Sequence, residues 1–166
     1  MAEPFGSPLG LRAVADTSSA CEVAAPGFMF TSHVFFDDLD AMGMLHNSRY
    51  TLLAERANSA FFEANGWRWE ADPARNPDQF YVVREQWVRY LEPVRGPGDI
   101  SVEMWVAALG QSSATYAFRV RSADAMRVHA NLRRVQVKLD QRTLRPAPWT
   151  PKLRAQLETL LRPDAE

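Results

Sequence analysis

Cysteine is nearly missing from this chain of 166 residues: Cys21 is the only one. A lone cysteine excludes an internal disulfide and a thiolate metal cluster. Excess charge is missing too. Nineteen Lys and Arg stand against twenty Asp and Glu, a formal net charge of −1, so no global field favours nucleic acid or an anionic membrane surface. No apolar run approaches the roughly 20 residues that a spanning helix needs. The first residues lack the basic start and apolar core of a secretory signal. A cytoplasmic protein, with neither membrane nor nucleic acid as partner, is the expectation. His33, His46 and His129 are not spaced as metal ligands, so no metal site is expected. There is no Gly-x-Ser-x-Gly elbow for a serine hydrolase. There is no glycine loop ending in Lys-Ser/Thr for a nucleoside triphosphate. Repeats and low-complexity tracts are absent.

What is present is an ordinary globular composition, 46% hydrophobic, in a length that suits one domain with a real core. Residues 1–26 mix Pro, Gly, Ser and Ala without periodicity and read as a loose tail. Residues 27–148 read as the domain, and 149–166 as a C-terminal helix and tail. Phe28 to Phe36 is aromatic enough for a first strand. Tyr50, Leu53, Ala54, Ala57, Ala60, Phe61 and Ala64 form one apolar stripe of a long helix. Asn47 or Ser48 is placed to cap it and Gly66 to stop it. After a loop with Pro73 and Pro77 come four strand candidates in meander: Phe80 to Leu91, Ile100 to Leu109, Ala114 to Ser122 and Arg127 to Asp140. In the last, Val128, Ala130 and Leu132 fall on even positions but Val135, Val137 and Leu139 on odd ones. That slip predicts a β-bulge near Arg133-Arg134. Thr150-Pro151 then opens a short helix with Leu153, Leu157, Leu160 and Leu161 on one side, expected to run to Pro163. The fold class is α+β: an antiparallel sheet of about five strands wrapped around one long helix, plus a short C-terminal helix. Such a sheet leaves an edge to be paired with a second copy.

The most informative stretch is Phe36-Asp37-Asp38-Leu39-Asp40-Ala41-Met42-Gly43-Met44-Leu45-His46-Asn47-Ser48-Arg49-Tyr50. It sets a carboxylate, a glycine turn and a helix start together. Helix N–H groups stabilise negative charge on a carbonyl oxygen, and a carboxylate beside them can attack the carbon or activate water. Taken singly, Asp40 also fits a plain turn or cap residue, Asn47 a plain cap, and Asp38 a turn stabiliser.

The stretch Val34 to Tyr50 and the order of elements resemble the hotdog-fold acyl-CoA thioesterases of the 4-hydroxybenzoyl-CoA thioesterase type. The family pattern is Asp-x-Asp-x-x-Gly followed by a small residue and Tyr opening the long helix. Here it is Asp38-Leu39-Asp40-Ala41-Met42-Gly43, then Asn47-Ser48-Arg49-Tyr50. Glu55-Arg56, Gly98-Asp99 and Gly110-Gln111-Ser112-Ser113 are also similar to the family, so the likeness spans roughly residues 28 to 140. It implies Asp40 as catalytic nucleophile or general base, and the Asn47 backbone N–H as the group that polarises the thioester carbonyl. It implies substrate contacts at Gly43, His46, Ser48, Tyr50, Ser112 and Ser113, and no cofactor beyond coenzyme A as part of the substrate. It implies a homodimer with sites at the subunit interface, often assembling to a homotetramer. Two departures stand out. Some relatives carry histidine where this chain has Asn47. Others read Gly-His-Val-Asn-Asn where this chain has Gly43-Met44-Leu45-His46-Asn47.

A thioester suits so small an apparatus, because a thiolate leaves readily. Tyr50, Trp67 and Trp87 are candidates for the acyl-pocket wall, and each also suits plain core. Glu55 is placed to orient groups near the site or to form a structural ion pair. Arg119, Arg121, Arg127, Arg133, Arg134 and Lys138 crowd the last two strands, where they suit either a solvated face or the phosphates of coenzyme A. The expected function is hydrolysis of an acyl-CoA, or acyl-carrier, thioester to acid and thiol. The rivals are a hotdog protein that binds an acyl ligand without turnover, and a hotdog hydratase or dehydratase, which needs a histidine with an acidic partner.

Overall fold

A computed structural model describes residues 26–163. The expected loose tail, apart from its last residue, and Cys21 lie outside them. The elements are β1 (Phe28–Val34), α1 (Asn47–Ala64), β2 (Tyr81–Tyr90), β3 (Gly98–Leu109), β4 (Ser113–Ser122), β5 (Val128–Lys138) and α2 (Pro151–Glu158), with short 3-10 turns at Phe36–Asp38 and Pro77–Gln79. The five strands form one antiparallel sheet and α1 packs across it, as the resemblance implies.

The apolar stripe sets the pose of α1. Tyr50, Leu53, Ala54, Ala57, Phe61 and Phe62 are buried, and Asn58 is the one polar side chain buried with them. Small alanines let the sheet come close, and Val102, Met104, Val106, Phe118 and Val120 supply its inner face. At the far end the Asn65 amide donates to the Phe61 carbonyl at 2.8 Å. Gly66 then adopts φ +78°, a left-handed turn that favours glycine.

The strand order is β1-β3-β4-β5-β2. This corrects the expected four-strand meander: only β3, β4 and β5 run hairpin to hairpin. β2 pairs with β5, from Tyr81↔Lys138 to Tyr90↔Ala130. The chain then crosses the end of the sheet to reach β3. Pro93 and Pro97 cannot extend either strand, and the crossing is held by the Leu45 N–H donating to the Val94 carbonyl at 2.9 Å.

The expected bulge at Arg133-Arg134 is also corrected. Both residues sit in unbroken register with Trp87 and Gln86 on one side and with Ala117 and Tyr116 on the other. The register shifts fall instead after Val83, after Val106 and after Val120. From Ala130 onward β5 keeps its phase by burying Arg134, Gln136 and Lys138 on the inner face, so Val135 and Val137 turn to the outer one; the shift after Val120 leaves His129 as the extra residue on β5.

At α2 the Thr150 hydroxyl accepts the Leu153 N–H at 3.3 Å, with Pro151 in the first turn. The helix ends at Glu158 rather than at Pro163. The chain beyond it pairs with β3 where β1 has stopped: the Val106 N–H donates to the Leu160 carbonyl and the Arg162 N–H to the Val106 carbonyl, both at 2.9 Å.

Candidate active site

The turn between β1 and α1 is built around two aspartates with different tasks. Asp38 is buried. Its Oδ2 accepts the Phe35 N–H at 2.9 Å, its Oδ1 meets Arg49 Nε at 3.2 Å, and its carbonyl accepts the His46 N–H at 2.9 Å. It therefore ties the end of β1 to the start of α1. Asp40 organises the loop between them. Its Oδ1 accepts the N–H of Met42 at 2.8 Å and of Met44 at 3.1 Å, and its own N–H donates to the Met44 carbonyl at 2.7 Å. Gly43 closes the turn at φ +69°, with its N–H on the Asp40 carbonyl at 3.0 Å and its own carbonyl accepting from Gly96 at 3.0 Å.

The helix cap differs from the expectation. Neither Asn47 nor Ser48 caps α1; His46 does, with Nδ1 3.3 Å from the Ser48 N–H and 2.9 Å from the Ser48 hydroxyl. Asn47 becomes the first helical residue, and among the described residues no partner takes its N–H. That N–H carries the positive end of the helix dipole.

Asp40 and Asn47 line one cavity of about 350 Å3, walled by Met44, Tyr50, Tyr90 and Pro93. The Tyr90 hydroxyl donates to the Asn47 carbonyl at 3.3 Å, and its ring meets Tyr50 edge-on at 5.1 Å. Burial, the largest influence, pushes the Tyr50 phenol above its ordinary pKa, so it stays neutral there. The arrangement can hold a carbonyl group between a carboxylate and a helix N–H. The sequence did not point to Tyr90, whose signal was only its place before the Glu92-Pro93 break.

Other expected site residues lie elsewhere. Gly43, His46 and Ser48 belong to the turn and helix cap, and Tyr50 lines the cavity. Ser112 and Ser113 are not brought to it within one chain: Ser113 pairs with Val137, at the opposite end of β5 from Ala130 and Tyr90. Trp67 packs on Phe62 at the far end of α1, and Trp87 lies on the outer sheet face beside Thr115 and Arg133. The basic residues do not form one patch. Glu103 takes Arg162, Arg121 and Arg119 at 2.7, 3.1 and 3.6 Å on the outer face, while Arg134 and Lys138 point inward to Glu55 and Asp78. Glu55 is thus in an ion pair, the structural alternative. His33 meets Asp99 at 2.6 Å across β1 and β3, outside the Asp40 cavity.

The thioesterase-like superfamily model matches residues 34–157. Among solved structures, a 1,4-dihydroxy-2-naphthoyl-CoA thioesterase from Synechocystis superposes with a TM-score of 0.72 at 12% identity, covering 82% of this chain and 99% of that one. A probable thioesterase from Escherichia coli gives 0.65 at 18% identity, covering 81% and 99%. A Staphylococcus aureus protein solved in complex with CoA gives 0.71 at 12% identity, covering 84% and 89%. These neighbours share the hotdog fold with this chain. No curated protein matches it in sequence.

Proposed function

The chain belongs to the thioesterase-like superfamily, and from that premise we propose that it hydrolyses acyl-CoA thioesters to the free acid and coenzyme A. One observation carries the proposal: Asp40 and Asn47, the latter with no partner on its N–H among the described residues, line the same cavity at the start of α1. The thioester carbonyl oxygen accepts from the Asn47 N–H, which stabilises the charge that develops on it. Asp40 either attacks the carbonyl carbon or takes a proton from an attacking water. In either course the carbon–sulfur bond breaks, the thiolate leaves and is protonated, and water supplies the second oxygen of the acid.

The working unit in this proposal is a homodimer. Of the two sheet edges, β2 is the more apolar and exposed: Val82, Val83, Trp87 and Tyr90 are each 46–51% exposed. Bare strand edges of this kind pair with another strand. Tyr90 lines the Asp40 cavity from that edge, so pairing there would enclose the site. The S. aureus neighbour bound to CoA supports coenzyme A as the thiol carrier. The test is CoA release from a panel of acyl-CoAs. Release would establish the hydrolase; tight binding of acyl-CoA without release would make the chain a binder instead.

A further inference from the structure

His129 is buried, 5% exposed, at the point where β5 breaks step with β4. Val120 pairs with Ala130 and Arg121 with Val128, so His129 is the extra residue. A bulge of this kind re-aims a side chain. Here the bulged residue holds the chain that leaves β2. The His129 carbonyl accepts the N–H of Leu91 at 2.9 Å and of Glu92 at 3.2 Å. Its ring Nδ1 donates to the Glu92 carbonyl at 3.2 Å. A carbonyl only accepts, so that bond puts a proton on Nδ1.

That chain walls the Asp40 cavity. Leu91, Glu92 and Pro93 line it together with Asp40 and Asn47. Glu92 and Pro93 also line a second cavity, of about 640 Å3, with His129 and Val94. The Glu92-Pro93 step is thus a partition with open space on two sides, and packing alone does not fix it. Its anchors are hydrogen bonds. Upstream, the Leu91 and Glu92 N–H groups sit on the His129 carbonyl. Downstream, the Val94 carbonyl takes the Leu45 N–H at 2.9 Å, and the Gly96 N–H reaches the Gly43 carbonyl at 3.0 Å. Pro93 has no N–H of its own. The peptide between Glu92 and Pro93 is planar and carries the proline ring rigidly. Its carbonyl is therefore the one hydrogen-bonding handle on the tilt of that ring, and the His129 imidazole holds it.

We propose that His129 is a positioning residue: by fixing the Glu92-Pro93 peptide, its ring sets the pitch of Pro93 against the acyl-CoA held beside Asp40. The inference deepens the hydrolase assignment and rests on it for what occupies the cavity. Pro93 offers the substrate only van der Waals contact, which is the same before and during cleavage of the carbon–sulfur bond. Losing that contact weakens binding and leaves the chemical step alone.

Calorimetry with S-hexyl-, S-dodecyl- and S-benzyl-CoA, thioethers that cannot be hydrolysed, reads the wall without turnover. His129→Leu keeps bulk and loses the donor. It should weaken the tightest of the three about fivefold and raise KM alike, with kcat held. His129→Asn, whose amide N–H can replace the Nδ1 donor, should keep wild-type binding. In Pro93→Ala, which lacks the ring, His129→Leu should add no further loss. A merely structural role would lower melting temperature and the active fraction, hence kcat, and leave Kd and KM unmoved. Kd unchanged in His129→Leu, an Asn variant as weak as the Leu variant, additive losses in the double variant, or binding of no thioether by the wild type overturns the proposal. So does failure of His129→Leu to fold, which would make the residue structural. CoA release is read separately. Turnover with a Kd indifferent to His129 sinks the positioning role alone, and a His129-dependent Kd without CoA release sinks the hydrolase alone.

Discussion

Asp38 and Asp40 are two positions apart and answer to different physics. Asp38 is buried and holds Arg49 and the Phe35 N–H; removing it orphans a backbone donor and takes the carboxylate from Arg49, which keeps only the Asp37 carbonyl. Asp38→Ala should therefore cost about 2–3 kcal/mol of unfolding free energy in a urea melt. Asp40→Asn should cost little there, since an amide oxygen can still accept from Met42 and Met44. Glu103 gives a prediction in pH. Burial, the largest single influence, would raise its carboxyl, but the Arg162 hydrogen bond and the charges of Arg162, Arg121 and Arg119 together hold it below the ordinary 4.5. A carboxyl depressed by folding contributes stability above its unfolded pKa and loses it as pH falls through the folded one. Wild type should therefore exceed Glu103→Gln in stability at neutral pH, and the gap should close as pH drops below about 4.5. A gap that stays constant through acid would contradict this.

Elements were legible in the sequence where local chemistry and burial agree. The stripe on α1, the Thr150-Pro151 start of α2 and the alternation of β3 and β4 each satisfy both demands, and each element forms where its pattern predicts. The failures share one cause. Hydrophobic period reports burial only when the buried residues are apolar, and on β5 they are Arg134, Gln136 and Lys138. The valines that suggested a phase slip instead face outward, in continuous register with β4. The cap on α1 was missed because a histidine side chain took a task that Asn47 or Ser48 ordinarily performs. The position of β2 was missed because strand order depends on a crossing held by contacts distant in sequence. One element-scale prediction concerns α2. Thr150→Ala removes the cap on Leu153 and a partner of the buried Asp78, and should lower stability by about 1–2 kcal/mol in the same melt.

At the scale of the molecule, the site looks half finished in one chain. Asp40 and Asn47 line one cavity, Ser112 and Ser113 lie at the opposite end of the sheet, and the cavity is flanked by the bare, apolar edge of β2. The homodimer proposed through β2 would pair that edge. Sedimentation equilibrium should give twice the chain mass, and the double substitution Val82→Lys, Val83→Glu should shift it toward monomer. Activity should fall with the dimer. A monomeric wild type at full activity would refute this.

The central claim is that Asp40 and the start of α1 cleave a thioester. CoA release from short, long and aromatic acyl-CoAs, measured for wild type beside Asp40→Asn, tests it most directly. The account predicts turnover on at least one class and a loss of about 100-fold or more in kcat in the variant, with the melting temperature unchanged. Turnover on none of them, or turnover indifferent to Asp40, would contradict it.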